Sequence, residues 1–242
     1  IESAIKAKPT SEVFFAFEHL KPYESKLTGQ TVNRVETRGK ALLIHFENDL
    51  SIYSHNQLYG VWMVRRAHSY PTTKRQLRLA LHNTQKSALL YSASDIEVLT
   101  PDQIPHHPFL SKLGPDVLST NLRPDRVLEL LTAKQNQRRQ FVTLYLDQHF
   151  LAGIGNYLRS EILYVARIYP RLRPIDCSDA QLAALADASI TIPYQSYRYG
   201  GITSDLDLAN QLKAQGQKRS QYRHWVFGRV NRPCRVCETP IA

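Results

Sequence analysis

Near Pro101 the chain changes character, and that change limits its fold more than any other feature. Before it, the sequence is a succession of short β-prone runs: Val32–Glu36, Ala41–Phe46, Leu50–Ser54, Val61–Arg65, Leu77–Leu81 and Ala88–Tyr91. Leu77, Leu79 and Leu81 alternate with Arg78 and Ala80, the period of a half-buried strand, and Asn48-Asp49 suits a hairpin turn. Regular short strands predict a sandwich or barrel. Pro101, Pro105, Pro108 and Pro115 then mark a loop-rich connection. Beyond it the apolar period is helical, over Arg126–Leu131, Gln140–Phe150, Tyr157–Ala166 and Asp179–Ile190, with Asp176 or Ser178 as cap of the last. Tyr194–Gly201, aromatic and glycine-bearing, reads as a loop. Strands segregated from helices predict an α+β chain, and 242 residues hold one large domain or two small ones plus an appendage.

Charge narrows the class of partner. The formal net charge is +10, which favours a polyanion. The excess is clustered: from Lys213 to Cys237 there are seven lysines and arginines and no acid. No apolar run approaches the roughly 20 residues of a membrane span, and the first residues do not read as a signal peptide. Three cysteines do not form a disulfide framework, so a reducing cytoplasm fits. The sole methionine is Met63, so residue 1 does not read as a translation start, and Ile1, Ala4 and Ile5 read as the tail of an amphipathic helix.

The stretch from Leu146 to Glu161 places two helical segments around a tight turn, Gly153-Ile154-Gly155, with Asn156 read as the N-cap of the second. The first amides of a helix lack internal partners and lie at the positive end of its dipole. Glycines let a phosphate approach them. Arg138, Arg139 and Arg159 flank the turn, and Asp147 and Glu161 are candidates to buttress it. A turn that merely joins two packed helices has the same local pattern. A dinucleotide-binding loop does not fit, because it needs a preceding strand and a third glycine.

Three further places could carry chemistry. Lys40 follows glycine in Thr37-Arg38-Gly39-Lys40-Ala41, between two predicted strands, where it could bind phosphate, act as an acid or simply be exposed. His55-Asn56-Gln57-Leu58-Tyr59-Gly60 interrupts the sheet with amide, aliphatic and aromatic groups. Such groups either close the sandwich end or fill the stack that an extruded base leaves. Cys234-Arg235-Val236-Cys237 has the spacing of half a zinc site, and a tetrahedral zinc needs four ligands. Cys177 and His224 are the first candidates for the others. Trp225–Arg229 reads as a strand entering a basic hairpin.

Together these segments resemble the formamidopyrimidine-DNA glycosylase/endonuclease VIII family, and most closely its endonuclease VIII branch. The resemblance covers nearly the whole chain and is strongest over Leu20–Tyr23, Val35–Leu43, Leu50–Trp62, Leu90–Thr100, His107–Leu118 and Leu146–Leu163. It implies an N-terminal β-sandwich over 1–112, a helix-two-turns-helix domain over 118–200, and a basic linker with a truncated zinc finger over 201–242. It implies base excision from damaged double-stranded DNA by a monomeric, bacterial cytoplasmic, nucleoid-associated enzyme. An N-terminal proline attacks C1′, a Schiff base forms, and β- and δ-elimination cut the strand. A terminal amine suits that role because its pKa is about 7.7–8.0. By the same resemblance Lys40 is the catalytic lysine, and Gln57, Leu58 and Tyr59 fill the void and meet the opposite strand. Lys112 and Asn156 bind phosphate, and Cys234 and Cys237 are the first zinc pair. Arg198–Thr203 resembles the lesion-capping loop.

The departures are an opening Pro-Glu and a finger hairpin carrying the second cysteine pair. The expectation is a complete enzyme seen without about a dozen N-terminal residues and that hairpin, the chain as given being inactive and a poor zinc binder. A degenerate DNA-binding paralogue and an architectural DNA-binding protein are the competing readings. The endonuclease VIII likeness implies oxidised pyrimidines as substrate.

Overall fold

All six anticipated strands form, and two more join them. In the computed structural model, which describes residues 1–242, they are β1 (Glu12–Phe15), β2 (Val32–Arg38), β3 (Ala41–Phe46), β4 (Ser51–His55), β5 (Val61–Arg66), β6 (Leu77–His82), β7 (Lys86–Tyr91) and β8 (Asp95–Leu99). They make two antiparallel sheets, in the orders β1-β6-β7-β5 and β2-β3-β4-β8. Val13, Phe15, Leu79, Leu81 and Leu90 of the first sheet share one core with Ile44, Phe46, Ile52 and Ile96 of the second, so this is a β-sandwich. Two short helices, α1 (Glu2–Ile5) and α2 (Glu24–Leu27), add Ala4, Ile5 and Leu27 to that core. The Asn48-Asp49 turn forms with Asp49 at φ 65°. The sandwich, Ile1–Lys112, is one unit.

Leu113–Ala242 is the other unit and is helical: α3 (Pro124–Thr132), α4 (Phe141–Leu144), α5 (Asn156–Val165), α6 (Asp179–Arg198), α7 (Leu206–Ala214) and α8 (Arg219–Tyr222). Its core runs from Val117 through Phe141, Tyr145, Ile154 and Ile162 to Leu185 and Ile192. Three expectations change here. Helix α4 stops at Leu144 rather than continuing to Phe150: the Leu146 and Asp147 amides turn back three residues, to the Thr143 and Leu144 carbonyls, and Asp147 Oδ1 then accepts the His149 amide in a local turn. Helix α6 continues through Pro193 to Arg198, so Tyr194–Arg198 is helix rather than loop; Ser178 forms its capping box with Gln181. Trp225–Arg229 is not a strand; the amides of Trp225, Val226 and Phe227 are satisfied by a side chain, described below. No helix is long and apolar enough to cross a membrane.

Candidate nucleic-acid interface

In the sandwich, β4 and β5 belong to different sheets, and Asn56–Gly60 is the crossover between them. The loop closes on itself through the Gly60 amide, which donates to the Asn56 carbonyl at 2.7 Å. A Cβ on Gly60 would lie 2.6 Å from that carbonyl oxygen, so only glycine fits. Gln57 sits at φ 48° and accepts from the Ser94 hydroxyl at 3.2 Å. Arg75 donates to the Tyr59 carbonyl at 2.6 Å. The backbone is thus closed on itself and tied by Arg75, with the Gln57 side chain held by Ser94, while Leu58 and Tyr59 stand 86% and 71% exposed. Such exposure rules out the bland reading in which these side chains close the sandwich end.

Lys40 lies in the β2–β3 turn, after Gly39 at φ 59°. Its neighbour Ala41 pairs with His55, the residue that leads into the crossover, so the lysine and the loop occupy the same end of the β3–β4 pair. Lys40 is reached by solvent, yet the surrounding protein removes enough water to lower its pKa. His55 is likewise lowered, first by burial and opposed by Asp95, whose carboxylate is 3.8 Å from its Nδ1; the Lys40 charge lowers it further. The imidazole also packs on Phe109, with ring centroids 5.0 Å apart. Lys112 ends the short helical turn Leu110–Lys112 with its side chain exposed.

In the helical unit, Gly155 rather than Asn156 is the N-cap of α5; Asn156 is the first helical residue, with an exposed side chain. Gly153 takes φ 99°, a conformation that favours glycine. The buttress is Gln148, which sequence reasoning passed over between its charged neighbours. Its Oε1 accepts the Gly153 amide at 3.0 Å, and its Nε2 donates to the Ile154 carbonyl at 2.9 Å. Asp147 instead pairs with Arg139 at 2.8 Å. Arg159 donates to the Val142 carbonyl at 3.1 Å. Two of the three flanking arginines are therefore structural, and Arg138 is the exposed one.

Glu161 has a different task from the one expected of it. Fully buried, it accepts the amides of Trp225, Val226 and Phe227 at 2.7–2.9 Å and the Thr203 hydroxyl at 2.5 Å. Thr203 Oγ1 lies 2.9 Å from His224 Nδ1; since it donates to Glu161, the imidazole N–H donates to it. Burial pushes His224 down to about 4, against the pull of Glu161. Arg219 and Arg223 donate to the carbonyls of Gly200 and Gly201, so the stretch Arg198–Thr203 is tied to this network. Tyr197 and Tyr199 remain exposed.

Cys234 and Cys237 lie on a tight turn closed by the Cys234 amide to Thr239 and the Glu238 amide to Cys234. Cys234 Sγ accepts from the Tyr164 hydroxyl at 3.2 Å and the Val236 amide at 3.4 Å, which with the Cys237 amide lower its pKa to about 6. This suits a metal thiolate. No third Cys, His, Asp or Glu side chain joins the pair: His224 is engaged with Thr203, and Cys177 contacts the Arg173 carbonyl. Two thiolates do not complete a tetrahedral zinc site, so a zinc finger is not formed by these residues.

The comparisons with known proteins now decide the family. A model of the formamidopyrimidine-DNA glycosylase N-terminal domain matches residues 3–93, and one of the formamidopyrimidine-DNA glycosylase H2TH domain matches 113–207. Endonuclease 8 of Escherichia coli K12 is 50% identical over 241 residues, covering 100% of this chain and 88% of the relative. The chain belongs to the formamidopyrimidine-DNA glycosylase/endonuclease VIII family. Endonuclease 8 of Salmonella schwarzengrund is also 50% identical, over 98% of the chain and 87% of the relative. The fold is that of Lactococcus lactis formamidopyrimidine-DNA glycosylase, solved non-covalently bound to DNA containing an AP site. That structure aligns with a TM-score of 0.78 at 19% identity, over 98% of this chain and 86% of that one.

Proposed function

We propose that this protein is a base-excision-repair DNA glycosylase that removes oxidised pyrimidines from duplex DNA and then cleaves the abasic strand by β,δ-elimination. Half-identity to Endonuclease 8 supports the pyrimidine branch. The observation that carries the reading is the crossover at 56–60: a braced backbone that holds a large aliphatic and an aromatic group out in water, beside Lys40. A soluble sandwich gains nothing from that exposure, whereas an enzyme that extrudes a base needs side chains to occupy the vacated stack. Leu58 is the wedge, Tyr59 and Gln57 meet the orphaned strand, and Lys40 holds or protonates the reacting nucleotide. Lys112 binds backbone phosphate as a cation. Asn156 and the free amides at the start of α5 bind it through hydrogen bonds. Cys234 and Cys237 supply two of the four donors that a structural zinc takes.

Borohydride trapping tests the reading. Protein expressed from its complete reading frame should form a covalent adduct with duplex DNA carrying an oxidised pyrimidine, faster than with an oxidised purine. Trapping confined to the purine lesion would overturn the substrate assignment, and binding without any adduct would leave a DNA-binding paralogue. In the same protein, Lys40→Ala should lower the single-turnover rate by about 10²–10⁴-fold and leave lesion-DNA affinity within a few-fold. Because its folded pKa is lowered, loss of the Lys40 proton should bring the alkaline limb of the rate profile below the ordinary lysine value of 10.5.

A further inference from the structure

The outer face of the β1-β6-β7-β5 sheet carries a cluster that the DNA chemistry does not use. Lys40 lies on the other sheet. Glu12 of β1 pairs directly with His82 of β6, and His82 with Ser87 of β7. Val13, Phe15, Leu79 and Leu81 fill the core, so by strand alternation Glu12 and His82 project outward. His68 comes over this face from the turn after β5. Its backbone is at φ 56°, a conformation that only a few per cent of non-glycine residues adopt. Its amide is held there by Ser87 Oγ at 2.8 Å.

One donor atom from each of Glu12, His68 and His82 lies within 4.8 Å of the others. His68 Nδ1 is 3.6 Å from the Glu12 carboxylate. The two imidazoles stack with centroids 4.5 Å apart and planes inclined by 9°.

We propose that Glu12, His68 and His82 form a binding site for a divalent transition ion of the zinc type, with water completing the coordination. Two imidazoles and a carboxylate are a donor set suited to such an ion. His82 is the anchor. It is buried, and its Nδ1 lies 2.6 Å from Ser87 Oγ. That hydroxyl can accept both the His68 amide and the His82 Nδ1–H on its two lone pairs, which leaves His82 Nε2 free to bind the ion. A hydrogen bond of this kind orients a metal-ligating histidine. Burial, and secondarily His68, keeps His82 toward the neutral form that a metal requires. Tetrahedral zinc with bonds of about 2.0–2.2 Å needs donors about 3.3 Å apart. Closing from 4.8 Å is within the reach of rotating Glu12 and His68, both exposed. The Tyr70 hydroxyl, 3.2 Å from His82 Nε2, must swing aside, and its ring is itself half exposed.

The test uses the whole chain with Cys177, Cys234 and Cys237 changed to Ser, so that thiolates do not mask the result. Titration calorimetry with Zn²⁺ should give one site per chain. Glu12→Gln and His68→Ala should each weaken it at least tenfold, and as surface changes both should leave the sandwich folded, which a unfolding scan checks. Nitrogen NMR of the His82 ring should show a metallated Nε2 with Nδ1–H retained, a signature that an ion pair alone does not give. Absence of a site in the thiol-free protein, or zinc affinity in both variants equal to that of the thiol-free parent, would overturn the proposal.

Discussion

The crossover at 56–60 and the turn at 153–156 depend on the same device for opposite ends. Each is a glycine-bearing bend with its backbone tied down by a side chain: Arg75 in the first, where Ser94 also holds the Gln57 side chain, and Gln148 in the second. The first bend pushes large side chains into water, with Leu58 at 86% exposure. The second buries Ile154 in the helical core and leaves the start of α5 without a side-chain cap. Shape and apolar surface suit the interior of a base stack; bare amides at a helix start suit a phosphate. Under the proposed function one polyanion is met by two recognition chemistries, one of them nearly indifferent to salt.

That contrast can be broken by experiment. The largest binding effect should come from Leu58→Ala, which removes the proposed wedge and should weaken lesion-duplex affinity by about 1.5–3 kcal/mol, the scale of burying a leucine side chain. The slope of log K against log salt should be unchanged, and a change in slope would mean that the loop acts through charge. Lys112→Ala should do the reverse, weakening damaged and undamaged duplex alike and reducing the slope by about 0.9. Asn156→Ala removes a neutral hydrogen-bonding group and should cost about 1 kcal/mol without altering the slope. A loss as large as that of Leu58→Ala would show that the helix start, rather than the loop, dominates binding. The last effect is on stability rather than binding. His224 titrates at about 4 when folded and near 6.5 when unfolded. Between those values the unfolded chain binds more protons, so this contribution is complete above 6.5 and is lost as pH falls toward 4. Melting temperature against pH should be flatter over that window in His224→Gln.

The two bends also differ in how far the sequence exposed them. The six central strands are legible because alternation and turn residues agree, and Ala41–Phe46 is predicted to the residue. Strand β1 escapes notice because four residues give too short an alternation to detect, and its pairing with β6 spans some seventy positions. Helix α6 outruns its prediction because Pro193 reads as a stop, although a proline inside a helix can be carried when tertiary packing compensates; here Pro193 is itself buried. The residues of the crossover were visible as an odd composition, but their bracing by Ser94 and Arg75 is a tertiary fact without a local signal. Gln148 was hidden by the assumption that charged groups do the supporting. The roles of Lys40, Lys112 and Asn156 came from resemblance, since the local pattern of each is shared by ordinary surface residues.

Glu161 has a consequence for how this fold tolerates change. A single carboxylate orders three successive residues through their amides alone, so Trp225, Val226 and Phe227 are recognised as peptide units, independent of what their side chains are. Most replacements at Val226, whose side chain is not in the core, leave that anchoring intact, while proline at any of the three deletes a donor the carboxylate needs. The reverse substitution, at Glu161 itself, orphans four donors at one stroke. Sequence drift is therefore cheap on the side of the loop and nearly forbidden on the side of the acid, an asymmetry set by one buried side chain in the second turn of α5.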